Sequence, residues 1–215
     1  MTAAVVTGTG VALADVDPAA VLGRRGLLYK DRATQLALCA ARGALVDAEL
    51  LDEEGLAVPG ESVGVVVSSN LGNLDTVCAV AATIAAETVA RISPMDLPNA
   101  SSNVVASTLA IRFGLRGPNL MLCNGATGGV DAVYWADVVI RAGRAERVLV
   151  VEVETRNEVV ERLVGSSDGL LDGAAALVVE DGEAARARGA EPLAAAIGGA
   201  RGVVQIATEV AGGSR

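Results

Sequence analysis

Residues 117–130, with the sequence GPNLMLCNGATGGV, combine a short apolar run, a glycine turn and small residues that suit the start of a helix. Many enzymes present a nucleophile in this way, because the positively polarised N-terminus of a helix favours a thiolate. The residue at the presenting position is Ala126, whose methyl group cannot react. The segment therefore predicts the geometry of a nucleophilic site from which the nucleophile is missing.

Cys123 lies three residues before that position, inside the expected strand, and has two interpretations. It could be a displaced nucleophile, or it could be a buried strand residue, since cysteine is among the most buried residue types. A strand position lacks the field of a helix end, and the 215 residues include no histidine to activate a thiol. We expect the buried, structural role. The lack of histidine also excludes a Ser-His-Asp triad or a His-ligated metal built from this chain alone.

The pattern Gly8-Thr9-Gly10 follows an apolar run and resembles the start of a dinucleotide-binding fingerprint. The third glycine of that fingerprint is missing, and no convincing acidic residue ends a following strand. We therefore expect a glycine turn that leaves the first strand, and we predict no cofactor.

A run of glutamates follows residue 150. It comprises Glu152, Glu154, Glu158 and Glu161, with Arg156 and Arg162 interleaved. Clustered carboxylates can bind a metal or work as an acid–base pair. Interleaved charges of both signs are also typical of a solvated strand end and loop, which is the structure we expect. We predict no metal site.

The composition limits the function classes. Hydrophobic residues make up 52% of the chain and aromatic residues only 2%, so valine, alanine and leucine must fill the core. The net charge is −9 and the only lysine is Lys30, which argues against binding to nucleic acid or to an anionic membrane.

The cysteines and the first residues indicate the compartment. The cysteines are Cys39, Cys78 and Cys123, and an odd number at wide spacing gives neither a disulfide framework nor a zinc signature. The N-terminus lacks the basic region of a signal peptide, and no uncharged apolar run is long enough to cross a bilayer. We expect a cytoplasmic protein with free thiols.

Apolar runs alternate with helical patterns along the chain. The expected strands are residues 3–7, 63–68, 119–123, 147–153 and 174–180. The expected helices are residues 31–46, 74–90, 101–113, 127–141 and 183–188, with a further strand within residues 192–206. The order βαβαβαββ predicts an α/β fold with a mostly parallel five-stranded sheet covered by helices on both faces. We expect one domain over residues 1–210 and a disordered tail at 211–215.

Six segments together resemble the N-terminal half of a β-ketoacyl synthase, the condensing enzyme of fatty-acid and polyketide synthesis. They are VVTGTGV at 5–11, YKDRATQLA at 29–37, SPMDLPNASSN at 93–103, IRFGLRGP at 111–118, VIRAGRA at 139–145 and GAAALVVED at 173–181. The resemblance implies a single half of the thiolase-like fold, in which two similar βαβαβαββ halves pack together. The family's catalytic histidines come from the second half, which fits their absence here.

The resemblance also implies a function. In this family a cysteine follows a Gly-Pro motif and a short strand, accepts an acyl group from a carrier thioester, and works with two histidines. An ungapped alignment of Gly117-Pro118 and of the helix start at Gly129 places Ala126 at that position. This implies a catalytically silent partner or scaffold of the chain-length-factor type. Two alternatives stay open: an acyltransferase that uses Cys123 or a non-cysteine mechanism, and one half of a split ketosynthase.

A pocket and an interface follow from the same resemblance. The residues that could line an acyl pocket are Asn99, Ser101, Asn124 and Thr127, although an N-cap role for Ser101 or Ser102 is the interpretation we favour for the serines. Family members dimerise through the strand that corresponds to Asn119, Leu120, Met121, Leu122 and Cys123. An exposed edge strand needs such cover. We expect a homodimer or a heterodimer with a full-length ketosynthase, and an acyl carrier protein as a further partner.

Overall fold

The computed structural model describes residues 3–94, 96–166, 170–196 and 201–212. The strands are β1 (Ala4–Leu13), β2 (Val63–Ser68), β3 (Asn119–Leu122), β4 (Arg147–Glu154), β5 (Gly173–Asp181) and β6 (Ala194–Ala195). The helices are α1 (Pro18–Leu22), α2 (Arg32–Asp47), α3 (Leu74–Ala86), α4 (Val104–Phe113), α5 (Gly128–Arg141), α6 (Glu158–Val164), α7 (Gly182–Ala187) and α8 (Val203–Gly212). Within the described residues, no helix is long and apolar enough to cross a membrane.

The strands form one sheet in the order β3-β2-β4-β5-β1-β6. Strand β2 is parallel to β3 and β4, whereas β5 is antiparallel to β4 and β1, and β6 is antiparallel to β1. The α/β prediction is confirmed, but the sheet is mixed and six-stranded rather than mostly parallel and five-stranded. Strand β5 is buried along almost its whole length. Its continuous apolar run therefore reflects burial on both faces and not a parallel direction.

Helices cover both faces of the sheet, as the sequence predicts. On one face, α2 and α4 pack on a core that includes Leu36 and Leu109. On the other face, α5 and α8 pack on a core that includes Val133 and Ile206. All four side chains are buried, so the sheet carries a separate hydrophobic layer on each side.

Helix α2 lies directly on the backbone of β1. A Cβ atom at Gly8 would overlap the carbonyl oxygen of Ala44, and one at Gly10 would overlap that of Ala40. Strand β1 continues through both glycines, so the expected turn at this point is wrong. The glycines instead permit a close approach of helix to strand.

The C-terminal elements also differ from the expectation. Within residues 192–206 only β6 is a strand, and α8 begins at Val203; residues 197–200 lie outside the described part. Val203, Ile206 and Ala207 are buried at helical spacing, which is the signal that separates this segment from a strand. Helix α8 includes the first two residues of the expected tail, and residues 213–215 lie outside the described residues.

Candidate functional site

The parallel strands β3, β2 and β4 end together at one edge of the sheet. Ser68 at the end of β2 pairs with Leu122 of β3 on one side and with Glu152 of β4 on the other. The carboxyl ends of parallel strands are where α/β proteins place their ligands. The turn that contains Ala126 follows β3 and therefore starts from this edge.

The strand, turn and helix predicted within residues 117–130 are present, and the turn is centred on Gly125 with a left-handed φ of 85°. The side chain of Asn70 forms hydrogen bonds with both the N–H and the carbonyl of Gly125. The N–H of Gly125 donates to Asn70 Oδ1 at 2.8 Å, and Asn70 Nδ2 donates to the Gly125 carbonyl at 3.3 Å. Glu154 anchors Asn70 in turn, because its carboxylate accepts from the Asn70 side chain and from the Leu71 N–H.

Helix α5 begins where two glycines leave room for neighbouring side chains. A Cβ atom at Gly128 would overlap Oγ of Ser68, and one at Gly129 would overlap the carboxyl group of Glu152. Small residues at the start of this helix are thus required by contacts with the ends of β2 and β4. The two glycines at positions 128 and 129 therefore allow the Ser68 and Glu152 side chains to pack against the helix backbone.

Ala126 is exposed at the start of this helix and lines a cavity of about 230 Å³. The other lining residues are Gly129, Val130, Glu152, Gly202, Val204 and Gln205. The cavity lies on the α5 and α8 face of the sheet, and α8 supplies two of its walls.

Glu152 contributes the carboxyl group of this cavity. Its Oε2 accepts a hydrogen bond from the Val204 N–H at 3.3 Å. Burial raises the pKa of Glu152 above its ordinary value; the hydrogen bond from Val204 partly offsets this rise, and the charge of Glu154 adds to it. The sequence predicts a solvated strand end here, but Glu152 is half-buried and faces inward between two helices. Its contact with Gly129 is a tertiary one, which no local pattern could have indicated.

Cys123 is exposed and lies just after the last residue of β3, so the expected burial in the strand is wrong. Partial desolvation, followed by the charge of Glu154, raises the pKa of the Cys123 thiol. A raised pKa leaves little thiolate at neutral pH, which is the reverse of what a nucleophile needs. Cys123 also does not line the cavity beside Ala126.

None of the four predicted pocket residues lines that cavity. Asn124 and Thr127 are exposed, and both side chains donate hydrogen bonds to the carboxylate of Asp131 in the first turn of α5. Their contacts stabilise the helix start, where acidic groups interact favourably with the helix dipole.

Asn99 and Ser101 lie in the segment before α4. The buried side chain of Asn99 donates to the carbonyl of Tyr29, and Asn73 donates to the carbonyls of Asn99 and Ser101 at 3.0 and 3.1 Å. The N-cap of α4 is Asn103, so Ser101 does not cap the helix either. Both residues have a structural role in this loop.

The residues that the structure describes contain no group of three or more His, Cys, Asp or Glu side chains that could hold a metal ion. The acidic run after residue 150 is divided among different contacts. Glu158 pairs with Arg162, and Glu161 lies 3.6 Å from Arg156. Glu152 and Glu154 instead accept hydrogen bonds at the C-terminal ends of the strands, from the N–H groups of Val204 and Leu71 respectively.

Residues 11–177 match the family described as β-ketoacyl synthase, N-terminal domain, and the chain belongs to that family. One relative is the 3-oxoacyl-[acyl-carrier-protein] synthase 2 of Vibrio harveyi, 29% identical over 198 residues that cover 80% of this chain and 48% of the relative. The chain thus spans about half the length of the curated relatives it matches.

Solved structures of ketosynthases share the fold. The ishigamide ketosynthase/chain length factor superimposes with a TM-score of 0.73 at 24% identity, over 89% of this chain and 64% of that chain. AntDE:AntF, a type II polyketide acyl carrier protein in complex with its ketosynthase, gives 0.76 at 18% identity, over 89% and 67%. The fold expectation of a thiolase-like half is therefore confirmed.

Proposed function

We propose that this protein is a ketosynthase-like partner in fatty-acid or polyketide biosynthesis that does not itself catalyse condensation. The observation that carries the proposal is Ala126 at the start of α5, behind a turn held at Gly125 by Asn70. The turn keeps the shape that presents a nucleophile, while the presented side chain is a methyl group.

The chemistry of condensation supports this assignment. Transfer of an acyl group to the enzyme requires a thiolate, and decarboxylation of the extender unit is assisted by imidazoles in the family. The 215 residues contain no histidine. Cys123, the nearest thiol in sequence, has a raised pKa and lies outside the cavity. The lack of a thiol and of an imidazole among the described residues that line the cavity beside Ala126 supports a partner that does not condense.

The edge strand β3 is the surface proposed for pairing with a second subunit. The Val65 N–H donates to the carbonyl of Pro118, just before β3, and the Ser69 N–H donates to the Leu122 carbonyl, so both carbonyls face β2. Because the direction of backbone N–H and C=O groups alternates along a strand, those of Asn119 and Met121 point to the side of β3 opposite β2. This outer row is available for another strand, and the ishigamide ketosynthase/chain length factor is a precedent for pairing of related chains.

A basic pocket supports an acyl carrier protein as a further partner. We define it as the cavity of about 190 Å³ lined by Arg25, Lys30 and Arg112 together with Leu27, Leu38 and Ile111. Among the described residues, no carboxylate pairs with any of these three cations. In a chain of net charge −9, unpaired cations around an apolar pocket favour an anionic ligand with an apolar portion. The phosphodiester and acyl chain of a loaded carrier have these properties.

Intact-mass measurement after incubation with an acyl carrier thioester tests the silent assignment. The wild-type protein is expected to gain no acyl mass, alone or with a co-expressed full-length ketosynthase, and to co-elute with that ketosynthase. Cys123→Ser serves as the matched control. Acyl mass on the wild type that is lost in Cys123→Ser would support the acyltransferase alternative instead.

The variant Ala126→Cys separates the silent partner from half of a split enzyme. Acylation of Cys at position 126 only in the presence of a second chain that supplies histidines would favour the split ketosynthase. The same variant remaining unacylated beside that chain would favour the scaffold role.

A further inference from the structure

The cavity beside Ala126 contains an ionisable group that the proposed scaffold role does not use. Among the described residues that line it, Glu152 is the only titratable one. Its Oε2 accepts one hydrogen bond from the Val204 N–H, and no other described residue donates to this carboxyl group. No arginine or lysine of the described residues pairs with it. The second oxygen, Oε1, accepts no hydrogen bond from the described residues and can take up a proton.

The surrounding backbone fixes the position of this carboxyl group. It lies against the first turn of α5 at Gly129, and a Cβ atom at Gly202, just before α8, would lie 3.7 Å from Oε2. Two helix starts thus converge on the carboxyl group. Their N-termini carry partial positive charge, which suits an anion and also suits a developing oxyanion.

A half-buried carboxylate without a cationic partner is a costly feature for a structural role. Desolvation disfavours the charged form, and among the described residues only the Val204 N–H and the two helix starts offset it, with no arginine or lysine beside the carboxylate. The same environment suits a general base. Desolvation increases the proton affinity of the carboxylate, and a more basic carboxylate removes a proton from water more readily.

We propose that Glu152 is a general base that activates water for the hydrolysis of short acyl thioesters bound beside Ala126. The proposal rests on the proposed function only in the choice of thioesters as the substrate class. At about 230 Å³, and with a carboxyl and the Gln205 amide among its walls, the cavity suits a water molecule and a short acyl group.

The reaction balances without a cofactor. Glu152 takes a proton from water as the water oxygen forms a bond to the thioester carbonyl carbon. The tetrahedral intermediate collapses with cleavage of the carbon–sulfur bond, and the protonated Glu152 returns its proton to the leaving thiolate. The products are a carboxylic acid and a thiol, and Glu152 ends in its starting state.

Hydrolysis of butyryl-N-acetylcysteamine by the purified full chain at pH 6–8 tests this proposal, with butyrate measured by chromatography. The wild-type protein is expected to release butyrate faster than buffer alone, with a rate that rises with pH through a single ionisation. Glu152→Gln is expected to lose this activity by about 100-fold or more, as is typical for removal of a general base. Glu53→Gln, which changes an exposed glutamate, is the matched control and should keep the wild-type rate.

A second variant covers the case in which Glu152→Gln does not fold. Gly129→Ala keeps the carboxyl group but places a Cβ atom where that group now lies, so it should also lose hydrolysis. A wild-type rate equal to buffer, or full activity in a folded Glu152→Gln, would overturn the proposal. The small thioester needs no carrier, and the basic pocket lies on the opposite face of the sheet. Failure here therefore leaves binding of carrier and ketosynthase as a separate measurement.

Discussion

Asn70 and Gly125 are joined by two hydrogen bonds, one in each direction, although they lie 55 residues apart in the chain. The bonds link the loop after β2 to the turn after β3. Neither involves the side chain at position 126. The shape of the turn is therefore maintained independently of any reactive group, which explains how it can persist in a chain whose presented residue is alanine.

Loss of these bonds should loosen the turn. In Asn70→Ala we expect faster hydrogen exchange of the Gly125 amide and a decrease of about 1–3 kcal/mol in the free energy of unfolding, since the two bonds to Gly125 and the side-chain bond to Glu154 are removed. Glu53→Ala, which truncates an exposed side chain, is the control and should change stability by less than about 0.5 kcal/mol. Equal exchange rates at Gly125 in wild type and Asn70→Ala would contradict the assignment.

The outward backbone groups of β3 give a test of subunit pairing. Met121→Pro removes an N–H that faces away from β2, so the pairing with β2 is preserved while a second strand can no longer bond there. We expect the variant to shift from dimer to monomer in analytical ultracentrifugation. Met121→Ala loses the same side-chain contacts but keeps the N–H, and should remain dimeric. Dissociation of both variants to the same degree would assign the interface to side-chain packing rather than to β3 pairing.

Charge reversal at the basic pocket should weaken binding of an acyl carrier protein. In Arg25→Glu we expect at least a tenfold rise in Kd measured at low salt, and a smaller effect at high salt because screening weakens exposed charges. Arg162→Glu changes the net charge by the same amount on the exposed side of α6 and is the control. Equal weakening by the two variants would indicate a response to overall charge and not to this pocket.

The stability of the protein should depend on the ionisation of Glu152. Burial raises the pKa of Glu152 in the folded state, so between the unfolded and the folded pKa the native state binds more protons. Stability is therefore lost as pH rises through this window. The variant Glu152→Gln does not titrate, and its Tm relative to wild type should be higher at pH 7.5 than at pH 4.

Glu53→Gln is the comparison for that measurement, since Glu53 is exposed. Its Tm difference from wild type should show no such increase between the two pH values. A Glu152→Gln difference that is constant or falls with pH would show that the carboxyl group is not desolvated by folding.

Local sequence patterns predicted the elements well where the signal was itself local. The bounds of β2 agree with the structure, because an apolar run depends on neighbouring residues alone. Strand direction was not predictable in the same way. A strand such as β5, buried on both faces, has the same composition whether it is parallel or antiparallel to its neighbours.

The site was only partly predictable for a related reason. The place of Ala126 follows from consecutive residues, and the sequence identified it. The role of Glu152 depends on Gly129 and Val204, which come from other elements. Asn124 and Thr127 were expected to line a pocket, yet each finds a hydrogen-bond partner in the following helical turn at Asp131. A polar side chain that forms hydrogen bonds with neighbouring residues of its own chain has fewer groups left to bind a ligand.

The contact of α2 with Gly8 and Gly10 has a consequence for engineering. Where α2 crosses Gly8 and Gly10 the spacing between helix and strand is set by main-chain atoms, so exchanging neighbouring side chains cannot narrow it. The α5 and α8 face is spaced by valine, leucine and isoleucine side chains, which can be trimmed or enlarged. A designer who wishes to reshape the cavity to accept a bulkier molecule should therefore vary Val130 and Val204 and leave the glycine-lined layer untouched.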